Sequence, residues 1–160
     1  MSRQPNEELP CDVVLLATTG ELGAGPGGGT GGQSAQGGGE CFITTANVDG
    51  EANLKVRTSA PETQQCADPH YLADHHVTMT ISEPHPNLDS FTGVIRVFNA
   101  SQRIKTEATA LATAAVDTNQ LLLKGSLLKS STPVYGVAIY TGKDSKIALN
   151  QRCVIERQLL

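Results

Sequence analysis

An all-β sandwich or barrel is the fold class this sequence predicts, and three observations carry it. Apolar and β-branched residues recur with a period of two in several short runs. Gly, Pro, Asn and Asp cluster between those runs, and no internal repeat is visible. At 160 residues the chain suits one domain with its own core. Aromatics make up only 4% and Trp is absent, so that core must rest on Val, Ile, Leu and Ala.

The elements follow in order. Asp12 to Thr18 reads as a short, fully buried strand, because a β-branched and leucine run follows Pro10 and stops at a glycine-rich stretch. Residues 20–39 are roughly half Gly, a composition that buries too little apolar area to offset the entropy of ordering it, and they predict a flexible surface insertion. Cys41 to Thr45 is a second strand. Val48-Asp49-Gly50-Glu51 supplies a turn, since Asp-Gly readily adopts positive φ, and Leu54 to Arg57 alternates as a strand. Val77 to Ser82 and Gly93 to Phe98 repeat the alternation, with Pro84, Pro86 and Asn87 marking their connection. Residues 103–117, rich in Ala and Thr, have no convincing cap or stripe and read equally as loop or weak helix. Gln120 to Lys124 and Tyr135 to Tyr140 close the series of strands, and Thr141 to Asp144 turns the chain into a helix from Ser145 onward.

Charge and motifs bound the function. A net charge of −4 with both signs interspersed gives no footprint for nucleic acid or for an anionic membrane surface. No apolar run approaches the ~20 residues that span a bilayer. Cys11, Cys41, Cys66 and Cys153 lack C-x-x-C spacing and the N-terminus lacks the apolar segment of a signal peptide, which fits a reducing, cytosolic setting. No phosphate-cradling loop occurs: Gly142-Lys143 is followed by Asp144, and Val137 stands where the first glycine belongs. Cys66, His70, His75 and His76 match no usual structural zinc spacing and read as loop residues, so no metal site is expected in this chain.

Asp49-Gly50-Glu51 alone is an ordinary turn, but its surroundings are specific. Thr44-Thr45-Ala46-Asn47-Val48-Asp49-Gly50-Glu51-Ala52-Asn53-Leu54-Lys55 resembles the signature loop of the actuator domain of P-type ATPases, in the form typical of the phospholipid flippase branch. Other blocks agree in the same order. Leu9 to Leu16 is similar to the segment leading into that loop. Pro84 through Leu88 with Phe91-Thr92-Gly93 resembles the family's Glu-x-Pro-x-x-x-Leu-x-x-Phe-x-Gly stretch, with Ser82 at the Glu position. Leu121 to Lys129, then Tyr135 to Gly142 with Ser145, Lys146 and Asn150, complete the set. The resemblance covers most of residues 9 to 150, leaving out 20–39 and 103–117.

The resemblance implies an actuator-type distorted jelly roll, partial here, with first strands and flanking transmembrane helices missing. It implies a multi-pass membrane parent with this domain on the cytosolic side. Glu51 matches the glutamate that orients a water against an aspartyl phosphate and accepts its proton. Gly50 would let backbone approach the phosphate, Asp49 would fix the turn, and Asn53 and Lys55 would support the loop. Ala52 departs from the family, which usually has Thr or Ser there. The implied partners are the phosphorylation and nucleotide-binding domains of the parent pump, its phospholipid substrate and an accessory membrane subunit. Mg and ATP would serve the complete pump only, because this chain has no Asp-Lys-Thr-Gly-Thr motif and by itself should be inactive. Two rival expectations are an actuator from a cation-transporting P-type ATPase and a non-enzymatic β-sandwich interaction module. The latter predicts Glu51 buried or paired in the core.

Overall fold

A computed structural model describes residues 2–3, 7–19, 39–129 and 133–158. Among them the strands are β1 (Ser2–Arg3), β2 (Val13–Thr18), β3 (Glu40–Thr44), β4 (Leu54–Thr58), β5 (His75–Ile81), β6 (Gly93–Asn99), β7 (Ala112–Val116), β8 (Leu121–Leu122), β9 (Leu127–Leu128) and β10 (Val134–Ala138). They pair antiparallel in three sheets, ordered β1-β10-β2-β8, β4-β3-β9 and β5-β6-β7, as an all-β sandwich. The helices are short α1 (Ala46–Asp49) and α2 (Pro69–Asp74), longer α3 (Lys146–Gln158), and 3-10 turns at Pro61–Ala67, Glu107–Thr109 and Gly142–Asp144.

Strand β2 explains why its sequence is apolar without alternation. Val14, Leu16 and Ala17 enter one core cluster with Ile95 of β6, Val116 of β7, Cys66 and Phe91. Val13 and Leu15 enter a second with Cys41 and Ile43 of β3, Leu128 and Val134. A strand covered on both faces favours an unbroken apolar run, each Val or Leu in it worth roughly 1.5–3 kcal/mol when buried. Strand β8 repeats the division: Leu121 faces the first cluster and Leu122 the second. Gly136 of β10 lies opposite Leu15 at a register shift, where a Cβ would stand 2.4 Å from a Val13 methyl and 2.8 Å from the Val14 carbonyl oxygen. Backbone contact this close requires glycine.

Several expectations are corrected. The stretch 103–117 is neither plain loop nor weak helix: after the Glu107–Thr109 turn it carries β7, paired with β6 from Gly93↔Val116 to Val97↔Ala112. Ala-Thr-Ala-Ala-Val has weak intrinsic β preference, and the β6 edge supplies the order. The turn expected at 48–51 overlaps the end of the single helical turn α1, which begins at Ala46 and is capped by Gly50. Cys66, His70, His75 and His76, expected in a loop, lie in the 3-10 turn Pro61–Ala67, in α2 and at the start of β5; Asp68 caps α2 by accepting from His70 N at 2.9 Å and Pro69 takes the first helical position.

The insertion expected at 20–39 lies, through residue 38, outside the described residues; its two ends are fastened together. Gln64 Oε1 accepts from Gly39 N at 3.2 Å and Thr18 N at 3.4 Å, while its Nε2 donates to Thr18 O at 2.5 Å. Ser59 Oγ also bonds Gly39 N, at 2.8 Å. Cys11, Cys41 and Cys66 are buried free thiols, and burial pushes the Cys41 thiol up to about 12 although Arg57 opposes it. Among the described residues no helix is long and apolar enough to cross a membrane.

Candidate active-site loop and its cleft

Strands β3 and β4 pair in register from Glu40↔Thr58 to Thr44↔Leu54, so residues 45–53 form the connection at one end of the hairpin. Thr45 is buried at its start. Helix α1 then makes one turn, with Asp49 N and Val48 N donating to Thr45 O at 3.0 and 2.7 Å. Gly50 ends it at φ 78°, the left-handed conformation that stops a helix, and donates to Ala46 O at 3.2 Å. This positive φ is what the Asp-Gly pair predicts. It sits at a helix C-terminus rather than in a tight hairpin turn.

The loop is organised on Asp49. One carboxylate oxygen accepts from Glu51 N at 2.9 Å; the other accepts from Thr45 Oγ1 at 2.9 Å and Lys55 Nζ at 2.8 Å. Burial opposes ionisation of Asp49, but the bonds from Lys55, Glu51 N and Thr45 outweigh it and hold the carboxyl below its usual range. Lys55 Nζ also contacts Glu51 Oε2 at 2.9 Å, and its bonds to Asp49 and Glu51 raise its own pKa against the pull of desolvation. Glu51 itself projects outward, with 60% of its side chain exposed against 30% for Asp49.

Among the site residues read from the sequence, Asp49, Gly50, Glu51 and Lys55 therefore come together in one bonded unit. Ala52 and Asn53 are exposed, and Asn53 takes no part in that network. The conceivable metal ligands do not converge. Cys66 is in the core, and His75 stacks on Tyr71 with its Nδ1 donating to Tyr71 O at 2.8 Å. Among the described residues no group of three or more His, Cys, Asp or Glu side chains is placed to hold a metal ion.

Beside the loop opens a cleft of about 310 Å³. Thr45, Asp49, Glu51 and Lys55 line it from the loop, and Leu88 and Asp89 line it from the β5–β6 connection. Sequence reasoning did not find this second wall. Its one signal was that the block around Leu88 resembles the same family as the loop. Arg57 joins the lining, anchored by Nε donation to Leu121 O at 3.0 Å. The arrangement gives an outward carboxylate beside an open, charged cleft, steadied from below by an ammonium. Such a carboxylate can hold a water and take its proton.

No protein-family model matches the chain. Curated relatives do. Over 147 residues it is 33% identical to phospholipid-transporting ATPase 11C of Mus musculus, covering 92% of this chain and 11% of the relative. Phospholipid-transporting ATPase IG of Homo sapiens is 32% identical over 147 residues, with the same coverage. Phospholipid-transporting ATPase DNF1 of Saccharomyces cerevisiae is 32% identical over 146 residues, 91% of this chain and 8% of the relative. The chain spans about a tenth of the length of the curated relatives it matches. Ordered sequence blocks, the Asp49–Lys55 loop and these relatives converge on one conclusion: the chain is homologous, over about nine-tenths of its length, to one segment of the phospholipid-transporting P-type ATPases.

Proposed function

We propose that this chain is the greater part of the actuator domain of a phospholipid-transporting P-type ATPase, and that Glu51 promotes hydrolysis of the pump's aspartyl phosphate. The observation that carries this reading is the outward, loop-apex carboxylate of Glu51 over a cleft, with Asp49 and Gly50 fixing the backbone beneath it. In the step proposed, Glu51 orients a water in line with phosphorus. Its oxygen bonds to phosphorus, the bond from phosphorus to the aspartate oxygen breaks, and the water's proton passes to Glu51. The aspartate regains its carboxylate and inorganic phosphate leaves.

Mg and ATP belong, in this reading, to the phosphorylation and nucleotide-binding domains of the parent. The residues here fit neither, since Asp49 and Glu51 already share the Lys55 ammonium. Those domains, the phospholipid substrate and an accessory membrane subunit are the partners proposed, with this domain on the cytosolic side of a membrane-embedded parent. The chain alone should not hydrolyse ATP. The relatives named above all carry phospholipid transport in their names, which favours a lipid over a cation as cargo. An interaction module without chemistry is disfavoured by the exposure of Glu51, which that reading would place in the core.

The test is Glu51→Gln in the full-length pump carrying this domain. Phosphoenzyme should form from ATP as in the wild type, and its decay should slow by about 10²–10⁴-fold, the usual contribution of a positioned base. Unchanged decay would refute the assignment.

A further inference from the structure

The residues that join the two cleft walls lie outside the signature loop. Asp12, just before β2, is fully buried, and its two carboxylate oxygens serve different parts of the molecule. Oδ1 accepts from Lys124 N at 2.8 Å. The next residue, Gly125, has φ 83° and donates to Leu9 O at 2.8 Å; a Cβ there would stand 3.3 Å from Val48 of α1. One Asp12 oxygen thus secures the turn on which the signature loop rests. The other, Oδ2, accepts from Lys146 N at 2.7 Å, the first residue of α3.

Lys146 extends the connection to the other wall. Its side chain is fully buried, and Nζ donates to Ser90 O at 2.7 Å and Asn87 O at 2.9 Å, with His85 O at 3.4 Å. The His85 ring and the face of Tyr140 complete its surroundings. One turn along α3, Asn150 Nδ2 donates to Pro86 O at 3.1 Å. The carbonyls held in this way flank Leu88 and Asp89, which line the cleft with Glu51. A buried ammonium on three carbonyls is costly to desolvate and returns little stability compared with an apolar residue of the same size. It does fix the path of the backbone that surrounds it.

We propose that Asp12 and Lys146 are positioning residues which hold the two walls of the Glu51 cleft in register with each other and with helix α3. The chemical consequence rests on the reading of Glu51 given above; the geometric claim does not. Amide exchange in the full chain tests the geometry. Lys146→Met keeps the apolar stem and removes the donors, so exchange should rise about 10- to 100-fold, the range for lost bonds to a charged group, at Ser82 and Asp89, whose amides donate to Thr92 O and Asn87 Oδ1 within the β5–β6 connection, and not across 46–51. Asp12→Leu, which removes both acceptor oxygens at similar size, should raise exchange in both segments. Lys146→Arg, which keeps donors, should restore the first, and Asn150→Ala gives a smaller local rise should Lys146→Met not fold. Ile95→Val, a core cavity away from these bonds, controls for lost stability. If Asp12→Leu leaves either segment protected, or if Ile95→Val reproduces its pattern, the proposal is overturned.

Phosphoenzyme decay in the full-length pump tests the consequence. Lys146→Met should leave phosphoenzyme formation at the wild-type level and slow decay at least about tenfold, with rescue by Lys146→Arg. If Glu51→Gln blocks decay and Lys146→Met does not, positioning fails alone. If Glu51→Gln is silent, the reading of Glu51 fails and the exchange result still decides the geometric claim.

Discussion

Replacing Gly50 with Ala isolates the conformational demand of the signature loop. At φ 78° Gly50 holds a backbone shape that costs an L-residue roughly 1–2 kcal/mol. Nothing lies within 4 Å of the position a Cβ would take, so no steric contact adds to that cost. Against it stands the loss of unfolded-chain entropy on going from Gly to Ala, which returns about 0.4–1 kcal/mol. The net expectation is a destabilisation of about 1 kcal/mol, or about 3 °C in Tm for a domain of this size. Gly50→Asn should cost about half as much, because Asn tolerates the left-handed region. Urea unfolding of the three proteins, with equal slopes, measures this directly. Should Gly50→Ala match the wild type, or Asn prove worse than Ala, the left-handed conformation would not be what Gly50 supplies.

Further outcomes follow from the same loop and its surroundings. Asp49, depressed by its partners, contributes stability that is fully present above its ordinary value of 3.8 and is lost as pH falls through the lower folded value. Lys55, raised by Asp49 and Glu51, contributes stability present below 10.5 and lost as pH rises through its higher folded value. The gap in urea midpoint between wild type and Lys55→Met should accordingly be widest between those limits and close on both sides. Ala52→Thr, returning the usual hydroxyl, should speed phosphoenzyme decay in the full-length pump about fivefold if it makes one hydrogen bond worth ~1 kcal/mol; slower decay would count against that role. Exchanging 20–38 for a linker of about five residues should raise stability by about 1 kcal/mol, from two halvings of loop length at ~0.6 kcal/mol each. A fall in the unfolding midpoint would mean that the glycine-rich segment contributes to the fold.

The legible parts of the sequence were those in which one local rule governs. The run Val13 to Ala17 has no alternation because both faces are covered, and Val77 to Ile81 alternates because its strand is half-exposed. Strand β7 was hidden because Ala112 to Ala115 gains its order from pairing with β6, which no local window contains. The loop announced Asp49, Gly50, Glu51 and Lys55 through contiguous residues. Asp12 and Lys146 are separated by most of the chain and meet only in the fold. A buried lysine shows in sequence as any surface lysine would. The block around Leu88 was legible as family-like, but its place as a cleft wall was not, since that depends on where the β5–β6 connection is held.

Strand β2 places neighbouring residues in different cores, and this changes how mutations there should combine. Val13 and Val14 are adjacent along the backbone, yet their side chains belong to clusters that share no space. Any shift of backbone that relieves a cavity on one side presses into the other. Coupling between the halves of the sandwich therefore travels through peptide units rather than through side-chain contact. Paired truncations across β2 should depart from additivity although the altered atoms never touch. Both clusters would then melt in one transition, because neither keeps a wall once the shared strand leaves.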